Sequence, residues 1–178
     1  MSNPIFDINE KNNIFKLPVL ALRGLVVFPG TSASFDIGRE ESINAIQYAM
    51  KHQRTIVLVA QKDIAKDHPS SDELFPMGVV AEIKQVVRVS PDTLCAFVEG
   101  KHRVDLLSVN RKNGSFFGEV LRIDEIPAPF ETAGQTASVR LVKELFTQYV
   151  ELNHQISADA LIPLNQYEDC GQLVDYIA

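Results

Sequence analysis

Apolar and polar positions alternate in two distinct rhythms along this chain, and the change of rhythm divides it. Residues 1–16 are polar and unpatterned and read as a flexible lead-in. Leu17–Leu22 and Leu25–Gly30 are short apolar runs bounded by Pro or Gly, the pattern of buried strands, and Pro29-Gly30 is a turn signal. Ala33–Ile37 predicts a further strand closed by Gly38. From Arg39 to His52 the period becomes helical. Ile43, Ile46, Ala49 and Met50 share one face, and Glu40, Glu41, Asn44, Gln47 and Lys51 share the other. Acidic residues open this helix and Lys51 and His52 close it, as the helix dipole favours. Thr55–Ala60 reads as a central strand and Asp67–Asp72 as a loop.

A β-meander is predicted from Val79 to Asp124. Ala81, Ile83, Val87 and Val89 alternate with Glu82, Lys84 and Arg88, the signature of a half-buried strand. Ser90-Pro91-Asp92 turns the chain, and Leu94–Val98 and Val104–Val109 form one or two long strands with a bulge or bend at Gly100. Asn113-Gly114 is the strongest hairpin signal, because both residues tolerate positive φ. The expected product of residues 17–125 is a curved sheet or partial barrel of six or seven strands with one embedded helix. Pro127 and Pro129 make 126–131 a connector, since neither can continue a ladder. Residues 132–178 are then helical. Val139, Val142, Leu145, Phe146, Tyr149 and Val150 form a stripe about five turns long, and Ser157 and Asp169 are placed as N-caps. The pattern stops at Ala178 with a helical face unfinished and no Gly or Pro stop signal, so the natural chain is expected to run on. The fold class is therefore α+β, a β-rich lobe followed by a helical one.

Composition narrows the function classes. The 178 residues are 46% hydrophobic and 22% charged, ordinary for a globular domain and with no stretch approaching the roughly 20 apolar residues of a membrane span. No leader pattern opens the chain, and a cytoplasmic setting is expected. A net charge of −6, with only short basic clusters at Lys101–Arg103 and Arg111-Lys112, argues against nucleic acid as a partner. Cys95 and Cys170 have no metal-ligand spacing, and His52, His68, His102 and His154 fall on different predicted elements. There is no phosphate-binding loop, no zinc-protease motif and no nucleophile elbow. No catalytic, cofactor-binding or metal-binding residue is assigned. What remains is binding. Phe116 and Phe117 are consecutive on a predicted strand, so one faces away from the core. It is either covered on a second packed face or exposed to apolar segments of another chain. Phe35 is a weaker candidate of the same kind. The helix start at Arg39 and Glu40 is either a protein-contact surface or a solvated cap.

Many short motifs in order then resemble one family. They are Leu17-Pro18-Val19-Leu20-Ala21-Leu22-Arg23, Val26-Val27-Phe28-Pro29-Gly30, Gly38-Arg39-Glu40-Glu41-Ser42, Leu58-Val59-Ala60-Gln61-Lys62-Asp63, Gly78-Val79-Val80-Ala81 and Val98-Glu99-Gly100-x-x-Arg103. In the helical part they are Phe146-x-x-Tyr149-Val150-x-Leu152-Asn153 and Gly171–Ala178. Over residues 15–178 the chain resembles the N-terminal domain of Lon, the ATP-dependent protease. The resemblance implies a PUA-like pseudo-barrel lobe followed by helices. It also implies a role in recruiting unfolded or damaged proteins and in assembling a homo-oligomeric, usually hexameric, ring. The ATP- and Mg-dependent motor and the Ser–Lys protease of that family lie downstream of this region, so none of their residues transfers. The alternatives are a stand-alone adaptor with the same domain, or a pseudo-barrel RNA-binding module.

Overall fold

The computed structural model describes residues 13–112, 114–124, 132–167 and 169–178. The chain divides into two units, Met1–Asp124 and Glu125–Ala178. The expected connector at 126–131 and Asn113 of the expected hairpin lie outside the described residues.

In the first unit the elements are β1 (Ile14–Leu22), β2 (Ser32–Ile37), α1 (Glu40–Lys51), β3 (Thr55–Ala60), β4 (Met77–Ser90), β5 (Thr93–Lys112) and β6 (Ser115–Arg122). The sheet order is β2-β5-β4-β3-β1-β6, and β5 also pairs with β6. That extra pairing closes β1, β3, β4, β5 and β6 into a ring and leaves β2 as a flap on β5. Among the described strands only β1 and β3 run parallel, joined by the crossover that contains α1. β1 begins earlier than the expected boundary at residue 17, because Ile14, Phe15 and Lys16 pair with Leu121, Val120 and Glu119.

The continuous apolar runs of β1 and β3 follow from burial on both faces. Leu17, Val19, Ala21, Val57 and Val59 point to one side and join Val80, Val104, Phe116 and Val120, so every strand of the ring contributes to its interior. Leu20, Leu22, Ile56 and Leu58 point to the other side, where Ala45, Ile46 and Ala49 of α1 cover them together with Ile37, Ala96 and Val98.

The second expected strand, Leu25–Gly30, is instead a loop. Its backbone groups are met locally: the Thr31 amide and hydroxyl both donate to the Phe28 carbonyl (3.2 and 2.7 Å), and the Gly30 amide donates to Gly100 O (2.9 Å). Val27 alone of this run is fully buried. The alternation expected in β4 also breaks. Ile83 pairs with Val98 but Gln85 pairs with Phe97, so Lys84 is an extra residue, and beyond it Val87 and Val89 are exposed. A one-residue bulge turns the following side chains to the opposite face. A second bulge lies on β5, where Val80 pairs with His102 and Ala81 with Gly100, so Lys101 is extra. The expected bend at Gly100 is present, and its chemistry is steric. A Cβ there would sit 2.2 Å from the Phe28 carbonyl oxygen.

The two bulge lysines share a task. Glu82 and Glu99 face each other across β4 and β5, a like-charge pair that destabilises a sheet on its own. Lys84 Nζ lies 2.8 Å from Glu82 and 2.7 Å from Glu99, and Lys101 Nζ lies 3.2 and 2.8 Å from the same carboxylates. Hydrogen bonds donated by Lys101 and Lys84 hold the Glu99 carboxyl down at about 2, and the bonds that Lys84 donates to Glu82 and Glu99 push its own pKa up to about 12.

In the second unit α2 (Ala133–Leu152) opens with a capping box. Thr132 Oγ1 accepts from the Gln135 amide (3.2 Å), and Gln135 Oε1 accepts from the Thr132 amide (2.9 Å). The expected apolar stripe of α2 divides. Val150 is buried and Val139 and Phe146 are partly buried, while Leu145 and Tyr149 are exposed. The expected caps are present: Ser157 accepts from the Asp159 amide, and Asp169 accepts from the Gln172 amide at the start of α3 (Cys170–Ile177). Buried Leu164 and Leu173 and the grouped rings of Phe146, Tyr167 and Tyr176 make its small core.

Gly100→Ala should destabilise the first unit by about 3 kcal/mol, because a backbone carbonyl cannot swing aside as a side chain does. Gly38→Ala, which meets nothing within 4 Å, should stay within about 0.5 kcal/mol in the same urea titration. Equal midpoints for the two variants would refute the steric account. A carboxyl NMR titration should find Glu99 titrating well below an ordinary glutamate. The stability it contributes is present above about pH 4.3 and is lost as the pH falls toward its folded value near 2. Because the network is exposed, about 1 M salt should move Glu99 back toward the ordinary value.

Candidate functional site

Two depressions flank the segment 23–28, and both include Leu22 in their walls. The first is a cleft of about 320 Å³ between the end of β1, β2 and the start of α1. Phe35 and Arg39 both line it. Phe35 is half-buried on β2 and packs against the α1-side core. Arg39 occupies the N-cap position of α1, where its extended backbone launches the helix and its side chain turns back into the cleft. Its Nη1 donates to Gln61 Oε1 (3.0 Å) and Asp67 O (3.2 Å), and Nη2 donates to Ala21 O. Burial, and then the neighbouring Arg23 charge, push its pKa down from the ordinary arginine value. Arg23 in turn donates to Asp67 Oδ1 (2.7 Å) and Lys66 O (3.1 Å) and holds the Asp67 carboxyl below the usual range. Gln61, only 3% exposed, spends its amide on Asp63 O and Lys66 O. Arg39 and Gln61 thus clasp the 61–69 loop to the end of β1. Glu40 follows Arg39, exposed in the first turn of α1.

Phe116 and Phe117 are elsewhere. Phe116 lies inside the ring at 4% exposure with the Arg111 guanidinium 4.8 Å from its ring centre. Phe117 is half-buried on the opposite face, edge-on to Tyr48 of α1 at 4.9 Å. Both faces of β6 are covered here, so the two consecutive aromatics serve packing.

The second depression is an apolar groove of about 270 Å³, with Val26, Phe28, Phe75 and Met77 on its rim and Leu58 and Gly78 in its floor. Val26 is 57% exposed, Phe75 47% and Met77 50%. Gly78 is required there, since a Cβ would meet Leu58 O at 2.8 Å. Arg103 also lines the groove, its guanidinium carbon 5.9 Å from the Phe28 ring centre. Sequence reasoning missed Val26, Phe75 and Met77. Their signal was apolar residues beside proline in non-periodic segments, at Phe28-Pro29 and Phe75-Pro76-Met77. Among the described residues no group of three or more His, Cys, Asp or Glu could hold a metal ion. No described helix is long and apolar enough to cross a membrane.

The chain matches the model of the ATP-dependent protease La (LON) substrate-binding domain over residues 16–178. It belongs to that family. The chain is 35% identical over 171 residues to the Lon protease of Erwinia amylovora, covering 95% of this chain and 21% of the relative. It is 34% identical over 169 residues to the Lon protease of Escherichia coli K12, again 95% of this chain and 21% of the relative. The chain therefore spans about a fifth of the length of the curated relatives it matches. Among solved structures, the N-terminal domain of the Mycobacterium avium complex Lon protease superposes with a TM-score of 0.72 at 21% identity, covering 90% of this chain and 80% of that one. A Lon N-terminal domain protein from Xanthomonas campestris superposes at 0.57 and 16% identity, covering 90% and 95%. These likenesses show that the chain shares the α+β fold of Lon N-terminal domains.

Arg39→Ala should destabilise the Lon domain by about 2 kcal/mol, since it strips three acceptors of a charged donor and leaves buried Gln61 Oε1 unpaired. Arg39→Lys should recover less than half of that loss, because one ammonium cannot span acceptors that a planar guanidinium reaches together. Urea unfolding of the two variants checks both, and a full rescue by lysine would refute the fork geometry.

Proposed function

We propose that this domain recruits unfolded or damaged proteins to a Lon protease by taking up their apolar side chains in the groove of Val26, Phe28, Phe75 and Met77. The observation that supports this most directly is the exposure of three large apolar side chains around one open, apolar depression. A folded protein keeps such side chains inside, and an unfolded one offers them. Met77 is flexible and polarisable, so the groove accepts different apolar shapes and discriminates little between them. Recognition of this kind is weak and degenerate. In a longer chain assembled as a hexameric ring, several copies acting on one client would multiply it by effective concentration. ATP and Mg would serve the motor of that longer chain and have no part in this binding.

The test is fluorescence anisotropy with one client in two states, a native disulfide-bonded protein and its reduced, carboxymethylated form. The domain should bind the unfolded form with a Kd in the micromolar range or weaker and leave the native form unbound. Phe75→Ser with Met77→Ser should weaken binding about tenfold or more, the equivalent of about 1.4 kcal/mol. Equal, negligible binding to both client states would remove the proposal.

A further inference from the structure

Among the described residues the ring strands of the first unit are paired on both sides, but β2 is paired on one side only. Which of its backbone groups face outward follows from Gly100. The Gly100 amide donates to Thr31 O and its carbonyl accepts from the Gly30 amide, both at 2.9 Å, so both its backbone groups point to the β2 side of β5. In an antiparallel ladder a residue turns its N–H and C=O to the same neighbour, and the next residue turns them to the opposite one. Val98, Ala96 and Leu94 therefore face β2, and their partners Ala33, Phe35 and Ile37 face back. Ser32, Ser34 and Asp36 point their amides and carbonyls away from the sheet. No hydrogen bond among the described residues ends on those groups.

Proteins normally protect such an edge with proline, lysine, a bulge or a covering segment. β2 has no proline and no lysine, and its register with β5 is unbroken over all six residues. Its end at Phe35, Asp36 and Ile37 opens onto the 320 Å³ cleft, whose far wall is Leu20–Leu22 and Leu25. That wall cannot act as a second edge, because the Arg39 guanidinium already occupies the Ala21 carbonyl.

We propose that the outer edge of β2 captures an extended stretch of the client polypeptide as an added β-strand. The added strand takes hydrogen bonds from Ser32, Ser34 and Asp36 and places alternate side chains toward the cleft. This rests on the client-binding reading above and supplies what the apolar groove lacks. Main-chain hydrogen bonds are the same for every sequence, so strand addition gives affinity without sequence preference. It also selects against folded proteins, whose strands are already paired. The occupant is a client chain because its recognition needs only a free extended backbone, the one feature that all unfolded clients share.

Ser34→Pro separates the possibilities. It removes an outward donor and leaves the β2–β5 bonds intact, and an edge strand tolerates proline at such a position. Anisotropy is measured with a labelled, permanently unfolded peptide, and with the same peptide N-methylated at two consecutive central residues, which blocks both of its edges. The wild-type domain should bind the plain peptide at least tenfold more tightly than the methylated one. Ser34→Pro should lose at least tenfold for the plain peptide while its thermal midpoint stays within about 4 °C of wild type. If wild type binds both peptides equally, strand addition is wrong even where the variant misfolds, and the groove reading stands. If wild type binds neither peptide, the client-binding reading fails first and takes this inference with it. If sedimentation shows that wild type self-associates through this edge, with Ser34→Pro monomeric and client affinity unchanged, the occupant is a second copy and the proposal is overturned.

Discussion

The first unit depends on β5 changing neighbours part-way along its length. Residues 94–99 of β5 hold β2 on one side, and residues 104–112 hold β6, while β4 runs along the other side from 94 to 105. A twenty-residue strand cannot do this while straight. The change happens at Gly100 and Lys101, where a bulge bends the strand and the absent side chain admits the Phe28 carbonyl. With that bend β6 reaches β1 and the ring closes; without it β6 has no path back. The interior packing of Val104, Phe116 and Val120 against Leu17, Val19 and Val57 is a consequence of closure, and so is the burial of both faces of β1 and β3.

The bend also explains the charge on that face. Bulged residues project where regular ones cannot, and the extra residues at two of the bulges, Lys84 and Lys101, are aimed at the Glu82–Glu99 pair. The same local irregularity therefore sets ring geometry and neutralises a repulsion that a regular ladder would suffer. Elsewhere the cations are used in the same inward way. Arg23 and Arg39 bind loop carbonyls and Asp67, and Arg111 pairs with Glu41 at 3.1 Å.

The sequence was legible where one physical rule acted alone. The helical period of 40–51, the alternation of β2, the hairpin glycine Gly114 at φ 74° and the cap at Asp169 each follow from local chemistry. The cap at Thr132-x-x-Gln135 is spelled as plainly, since both residues carry the oxygens a capping box needs. The apolar stripe behind it misled. Its width suggested one buried face, but only part of it is covered, since apolar periodicity does not say how much of a helix finds a partner. Leu25–Gly30 failed for another reason. Its apolar run has strand composition, but the Thr31 hydroxyl and Gly100 satisfy its backbone as a turn, and a contact 70 residues away is invisible to local pattern. The bulges that turned Val87 and Val89 outward are register effects of the same non-local kind. In the site, Phe35 is legible as an aromatic on a strand and Arg39 as a charge at a helix start. Phe75 and Met77 are not legible in this way, because a loop residue and the first residue of a strand belong to no period that would mark them.

An open apolar groove on a folded domain needs its own explanation, since apolar side chains left in water favour collapse onto one another. Here the backbone forbids it. The Phe75 amide donates to Ala60 O at 3.0 Å and Pro76 O accepts from the Leu106 amide at 2.8 Å, so the strip bearing Phe75 and Met77 is tied to β3 and β5. The opposite rim, at Val26 and Phe28, is tied to Gly100 through Gly30 and Thr31. The two rims are anchored to the ring at separate points and cannot close without breaking these backbone hydrogen bonds, each worth about 0.5–1.5 kcal/mol. Covering a few partly exposed side chains recovers an amount of the same order. The groove therefore stays open because the same bend in β5 that closes the ring also fixes one of its walls.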